Sequence, residues 1–387
     1  MENNSKISEL GRIYDKYYKL LLVLPAILII LAIGYLVYFN SHEGDIIYKD
    51  VSLTGGTTIS VFDEKADVSI VKEKLKTKFP DIVVREVSDI RSGRQRGFFV
   101  ESKAQPDELK KEIEGVLGYE LNSKNSSIEF SGSSLSQGFY QQLKNAVIAS
   151  FLLMSWVIFF VFGESKKIKA YTLMISASGV VLALQNVSFV KIFGGIIIFG
   201  GFVASLFSLE KKKRDFLVSL GIMVASLIAY IYPKEIFLLL IAVVLIYFYA
   251  KHSIPSIAVI GCAFADIVFT IVVANLLKMQ LSSAGIVALL MLIGYSVDTD
   301  VLLTTRVLKH KEGSLNKRIF GAFKTGITMT LTSIGAIGVA LIFTYSLSDT
   351  LRQIFSILLI GLFFDMFNTW VTNAAILKMY AEGKKIS

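Results

Sequence analysis

The amino-acid sequence predicts a polytopic α-helical membrane protein that carries one external α+β domain. Three observations lead there. Of 387 residues 53% are hydrophobic and only 18% are charged, giving a mean hydropathy of +0.61, outside the range of ordinary soluble domains. Apolar runs long enough to cross a bilayer recur along the chain, and basic residues gather in alternate loops between them.

The elements follow in chain order. Residues 1 to 19 are polar and mixed in charge, and Leu20 to Phe39 form a first span. The run is too long for a signal-peptide core and ends in Tyr35, Tyr38, Phe39 and Asn40, an aromatic interface belt, so it reads as an uncleaved anchor. Pro25 in its first turns is tolerated with a local kink.

Residues 41 to 140 are densely charged and hold no spanning run. Tyr48 to Phe62 reads as extended structure broken at Gly55-Gly56, Asp67 to Phe79 as a helix and Ile82 to Val87 as a strand. Arg96 to Glu101 adds a strand, Gln105 to Leu117 a helix and Ser126 to Phe130 a last strand. Strand, helix, two strands, helix, strand is the ferredoxin-like order. About a hundred residues can bury a small core of their own.

Apolar runs return at 146–162, 170–189, 192–209, 216–232, 236–250, 256–277, 284–303, 320–343 and 352–377, which with the first makes about ten spans. Lys166, Lys167 and Lys169; Lys211, Lys212, Lys213 and Arg214; Lys251; Arg306, Lys309, Lys311, Lys317 and Arg318; and Lys378, Lys384 and Lys385 occupy alternate loops. The other loops offer Lys191, Lys234, Lys278 and Arg352. The positive-inside rule then puts both termini in the cytoplasm and residues 41–140 outside a cell membrane crossed many times. This distribution explains the net charge of +9 better than a nucleic-acid partner does.

Ionisable side chains inside spans are costly and therefore usually functional. They are Asp266, Asp298 and Asp300, Lys324 at the start of its run, and Asp365. Counted from the cytoplasmic loop, Asp298 lies roughly 8–12 Å deep and Lys324 about 8 Å, so the two can pair between antiparallel neighbours. Asp300, two residues on, turns about 200° away on a helix. Asp298 is the first choice. Desolvation raises a carboxylate's pKa and a cation lowers it, so such a pair can bind and release a proton. The plain alternative is a static ion pair or a side chain snorkelling to the interface.

Thr325, Thr328, Thr330, Thr332 and Ser333 either line a polar path or serve as helix contacts, and Gly335, Gly338, Gly194-Gly195 and Gly200-Gly201 permit close helix approach. Cys262 stands alone in an apolar run, which leaves no disulfide framework or cysteine metal site. His42, His252 and His310 are far apart and no phosphate-binding loop occurs, so neither a histidine metal site nor nucleotide hydrolysis is indicated. No cofactor or enzymatic activity is expected.

Leu53-Thr54-Gly55-Gly56-Thr57, the external domain, Pro255-Ser256, Ala265-Asp266-Ile267, Gly294-Tyr295-Ser296-Val297-Asp298-Thr299-Asp300 and Lys324-Thr325-Gly326 together resemble SecF, more narrowly its archaeal type. The resemblance covers about residues 10–162 and 250–380. It implies an RND-like subunit of the SecD–SecF complex, working with the SecY channel on translocating polypeptides and, in bacterial members, linked to the proton-motive force.

Carried over by motif, Asp266, the block Asp298 to Asp300, Lys324 and Thr325 are the functional candidates, and Gly55, Gly56, Gly294 and Tyr295 the structural ones. Bacterial SecF usually reads Gly-Tyr-Ser-Ile-Asn-Asp, so Asp298 takes the Asn position and Thr299 the proton-linked Asp position, while Val297-Asp298 looks like the SecD version. Ser52 replaces a common acidic residue and Lys324 a common arginine.

The family has six spans, so residues 164–250 read as an inserted four-helix module, an even number that preserves the orientation of both flanks. The expected division is 1–40 tail and first span, 41–140 external domain, 141–163 second span, 164–250 insertion and 251–387 core spans with the polar motif. Two other readings are a non-catalytic scaffold stabilising SecD and the channel, and an RND-type exporter of lipids or small molecules. Such exporters usually carry two large external domains.

Overall fold

A computed structural model describes residues 14–89, 92–184, 234–309, 313–345 and 348–384. Among them six helices are long and apolar enough to cross a membrane. They are α1 (Tyr14–Glu43), α5 (Ser133–Phe162), α8 (Ile254–Leu276), α9 (Ser283–Leu308), α10 (Leu315–Thr344) and the compound last span Asp349–Gly383. That last span consists of α11 (Asp349–Phe367), a π-helical turn (Asn368–Asn373) and α12 (Ala374–Gly383). The sequence marks the starts of these helices. Ser253, Ser282, Ser314 and Ser348 each cap a first turn through a side-chain oxygen, to Ser256, Gly285, Lys317 and Leu351 respectively, satisfying amides that lack a helical partner.

Within the expected insertion, α6 (Lys166–Ala183) and α7 (Lys234–His252) are helical. They share an apolar core with α5 and α8 through Phe159, Ile175, Leu245, Phe248 and Val259. The runs 192–209 and 216–232, with Gly194-Gly195 and Gly200-Gly201, lie outside the described residues.

Between α1 and α5 the chain builds a four-stranded antiparallel sheet of β1 (Gly56–Val61), β2 (Val83–Ser88), β3 (Gln95–Ser102) and β4 (Ser126–Ser131) in the order β2-β3-β1-β4. Ile59 pairs with Val100 on one side and with Ile128 on the other. Helices α3 (Val68–Lys78) and α4 (Pro106–Leu117) cover one face. Ile59, Val61, Phe98 and Val100 from the sheet meet Val71, Leu75, Leu109 and Ile113 from the helices, all essentially buried. Each such side chain contributes roughly 1.5–3 kcal/mol of burial, which gives this unit a core separate from the membrane bundle.

The stretch before β1 departs from the extended structure expected from Tyr48. Asp50 accepts from the Ser52 amide and starts a one-turn helix, α2 (Val51–Thr54), because a local side-chain acceptor competes with strand pairing. Gly55 and Gly56 have φ of 86° and 145°, and a Cβ on them would sit 2.4 Å from Ser133 Cα and from Ser102 O. Only glycine admits both that backbone and that approach.

The sheet unit is seated on the bundle by the loop between α8 and α9. Lys49 bridges Leu281 as in a parallel ladder, and the Ser52 hydroxyl accepts from the Ser283 amide. Arg85 lies 3.4 Å from Glu101 and 3.5 Å from Asp349 at the start of α11, and also donates to Gln280. Burial pushes the Glu101 carboxyl up to about 7 despite the opposing Arg85, and pushes Asp50 up to about 6.

The charged groups facing these two are Arg85, Asp349 and, for Glu101, also Asp50 and Arg352. A cavity of ≈ 300 Å³ lined by Asp50, Asp81, Glu101, Lys103 and Gln280 adjoins them. A carboxyl whose folded pKa exceeds its unfolded value destabilises the docked state fully above the folded pKa, and the penalty disappears as pH falls. Seating should therefore tighten as pH drops from about 7 towards 4.5, the ordinary Glu value. Hydrogen exchange of residues 277–283 should slow over that window beyond the intrinsic pH trend, and Glu101→Gln should remove most of the extra slowing.

Candidate functional site

Three aspartates are fully buried where α8, α9 and the last span meet: Asp266, Asp300 and Asp365, each 0% exposed. Helical phase puts them there. The buried side of α9 runs Gly285, Ala288, Leu289, Leu292, Ser296, Thr299, Asp300, Leu303 and Val307, the i, i+3, i+4, i+7 stripe of a packed helix. Asp300 lies on that stripe one turn after Ser296. On α8, Asp266 is flanked by the buried Cys262, Ala263, Ile267 and Thr270.

The last span supplies the rest. The helix widens into a π-turn at Asn368–Asn373, and such turns often mark functional sites. Here it aims Asn368, Thr369 and Asn373, all buried, at the carboxylates. Ser296 Oγ donates to Asp266 Oδ2 and Asn368 Nδ2 to Asp266 Oδ1, both at 2.6 Å. Asn373 Nδ2 donates to Asp300 Oδ1 at 2.7 Å. Thr369 Oγ1 lies 2.9 Å from the same oxygen and 3.2 Å from Asp365 Oδ1. Asp300 Oδ2, Asp365 Oδ2 and Asn373 Oδ1 are buried without a hydrogen-bond partner.

No ion pair among the described residues involves these carboxylates. An unpaired Asp at the centre of a span costs about 2.5–3.5 kcal/mol on the insertion scale, while a hydrogen bond to a charged group returns about 1.5–3. Two donors each can offset the cost for Asp266 and Asp300. Asp365 has only the hydroxyl it shares with Asp300. Among the described residues no His, Cys, Asp and Glu group has the arrangement to hold a metal ion.

The expected Asp298–Lys324 pair does not form. Both side chains are exposed on the outside of the bundle, and among the described residues neither joins an ion pair. The two aspartates do diverge as a regular helix requires, but Asp300 points inward and Asp298 outward, the reverse of the expectation. Depth matching was satisfied by a partner on the wrong face, whereas the apolar stripe fixes the phase. Gly294 and Tyr295 share the outward face, with Tyr295 41% exposed and nothing within 4 Å of a Cβ at Gly294. Thr325 is half-buried and its hydroxyl returns to Gly321 O of its own helix. Gly326 has a packing role, since a Cβ there would stand 2.5 Å from Trp370 of the π-turn.

Asn368, Thr369 and Asn373 have no place among the sequence candidates, and Ser296 enters there only within the Gly294–Asp300 motif. Their signal is the spacing Asp365, Asn368, Thr369, Asn373, a polar stripe within an apolar run. Lys378, expected in a basic loop, is instead 1% exposed and pairs with Asp15, tying the last span to the first.

Residues 217–383 match the family model described as protein export membrane protein SecD/SecF, C-terminal. Proteins named protein-export membrane protein SecF are similar. That of Methanocaldococcus jannaschii is 46% identical over 140 residues, 35% of this chain and 50% of the relative. That of Pyrococcus furiosus is 39% identical over 145 residues, 37% of this chain and 48% of the relative. The chain thus matches about half the length of these relatives. The crystal structure of SecDF from Thermus thermophilus aligns with a TM-score of 0.52 at 15% identity, covering 95% of this chain and 38% of that one, a likeness of fold.

Proposed function

We propose that the chain, on the strength of its similarity to SecD/SecF protein-export membrane proteins, is an auxiliary subunit of the Sec export machinery. It pairs with SecD, acts beside the SecY channel and couples an ion gradient to the passage of polypeptide. One observation carries the coupling: three buried carboxylates, with no basic counter-charge among the described residues, converge at the π-turn of the last span. A static core gains nothing from that arrangement, whereas a site that takes up and releases a cation needs it.

The helices that hold the site also reach the sheet unit. Ser282 at the start of α9 donates to Gln353 of α11, and Arg85 of β2 contacts Asp349 of α11. Occupancy at Asp266, Asp300 and Asp365 would therefore move the seat of the outer unit, which we read as a ferredoxin-like domain on the strength of its strand order. Both termini are cytoplasmic in this reading.

Asp298 and Lys324 take a different part. Charged side chains exposed at membrane depth are costly in lipid, so their face suits a neighbouring subunit, which we assign to SecD. The described helices α6 and α7 pack beside α5 and α8 through a shared apolar core, which together with the even-number argument supports reading residues 164–250 as an inserted module. Purification from native membranes tests the assembly. SecD and SecY should accompany the wild-type chain, and Asp298→Leu with Lys324→Leu should reduce SecD recovery severalfold with the chain's own abundance unchanged. Absence of SecD from the wild-type preparation refutes the reading.

A further inference from the structure

Thr369 Oγ1 stands within hydrogen-bond distance of two carboxylate oxygens, 2.9 Å from Asp300 Oδ1 and 3.2 Å from Asp365 Oδ1. A threonine hydroxyl has one hydrogen and two lone pairs, and an ionised carboxylate only accepts. Thr369 can donate to one of the two oxygens. The other contact is a hydrogen bond only if that carboxyl carries a proton and donates to Thr369 Oγ1.

The remaining partners decide which. Asp300 Oδ1 also receives the Asn373 amide at 2.7 Å, the surroundings of an ionised carboxylate. Asp365 meets only the Thr369 hydroxyl at hydrogen-bond distance, because the nearby Ser296 hydroxyl is donated to Asp266; with Oδ2 of both carboxyls unpartnered, this smaller donor set is the surroundings of a neutral acid. Asp266, with donors from Ser296 and Asn368, is satisfied without sharing.

We infer that Asp365 and Asp300 hold one transferable proton between them through the Thr369 hydroxyl, with Thr369 as its relay. The inference rests on reading the buried cluster as the coupling site. In the transfer the Asp365 O–H bond breaks as its proton bonds to Thr369 Oγ1, while the original Thr369 hydrogen passes to Asp300 Oδ1. Asp365 ends ionised, Asp300 neutral and Thr369 unchanged, and no other reactant is required. The π-turn sets this up, because it brings Thr369 and Asn373 to the same carboxylate oxygen.

Infrared difference spectroscopy on the full-length protein in native-lipid membranes, wild type against variant at neutral pH, tests it. Signals from acids shared by both proteins, Glu101 and Asp50 included, cancel. The wild-type minus Asp365→Asn spectrum should contain the carbonyl band of one buried protonated carboxyl. Thr369→Ser should keep that band in place, and Thr369→Val should shift it, since valine fills the space without a hydroxyl. Lack of the band in the difference spectrum, or the same band position in Thr369→Val and Thr369→Ser, overturns the inference.

Gradient-dependent export by the same variants is a separate reading. If the band behaves as expected and Thr369→Val exports normally, the relay role is overturned. If the band is missing yet Asp300→Asn still abolishes gradient-dependent export, the proton assignment fails and the coupling role of the cluster stands.

Discussion

Asp300→Asn is expected to abolish the gradient-dependent part of polypeptide export while leaving the chain at near wild-type abundance and still associated with SecD. Asparagine keeps the size of the side chain and can accept from Thr369 and Asn373 through its amide oxygen, so packing at 0% exposure is preserved. It cannot hold a proton or a negative charge. A positioned proton-transfer group typically contributes about 10²-fold or more, so the remaining gradient response should sink to background. Asp298→Asn, on the outward face, should leave the gradient response intact. A normal response in Asp300→Asn, or its loss in Asp298→Asn with SecD recovery unchanged, would put the site on the other side of α9.

Arg85→Met should loosen the outer unit from the bundle. Arg85 connects β2 to Glu101, to Gln280 of the α8–α9 loop and to Asp349 of α11. Removing it takes away the cation that contacts both Glu101 and Asp349 and leaves Arg352, paired with Asp349, as their remaining basic neighbour. Losing one partner of a fully buried pair costs about 3–5 kcal/mol; with the Arg85 side chain 27% exposed, solvent screening reduces this to about 1–3 kcal/mol. Hydrogen exchange of residues 277–283 should then accelerate by about 5- to 150-fold, each 1.4 kcal/mol being a factor of ten. Exchange inside the sheet unit should hardly change, because its own core does not involve Arg85. An unchanged loop would show that Lys49 and Ser52 hold the seat without it.

Much of the fold was legible because its signals are periodic. The helix expected at Asp67 to Phe79 is Val68–Lys78, and the strands expected at Ile82 to Val87 and Arg96 to Glu101 are Val83–Ser88 and Gln95–Ser102. The extended reading fails at residues 51 to 54, where the Asp50 cap starts a helical turn, a local side-chain choice with no period. Glycines 55 and 56 drew notice as a break, but only the approach of Ser133 and Ser102 explains why two are needed.

The candidate site was legible in its charges and not in its geometry. Asp266 and Asp300 were candidates from the cost of burying a carboxylate. Asp365 was noted but given no role, and its partners are neutral residues whose cost in an apolar run is smaller and easier to overlook. The π-turn adds one residue to a turn without any composition signal, so the convergence of Asn368, Thr369 and Asn373 could not be drawn from a regular helix. The Asp298–Lys324 pairing failed for a definite reason: equal depth is necessary for contact, but facing is set by the stripe from Gly285 to Val307, which excludes Asp298.

The central claim is that a proton taken up at the α8, α9 and last-span junction drives export. It is tested most directly in membrane vesicles that contain the complex and a partly translocated polypeptide, by imposing a proton gradient and a sodium gradient in turn and following completion of translocation. Completion should accelerate with the proton gradient alone, and Asp300→Asn and Thr369→Val should lose that acceleration while Thr369→Ser keeps it. Equal completion with and without the proton gradient, or acceleration by sodium alone, would contradict it.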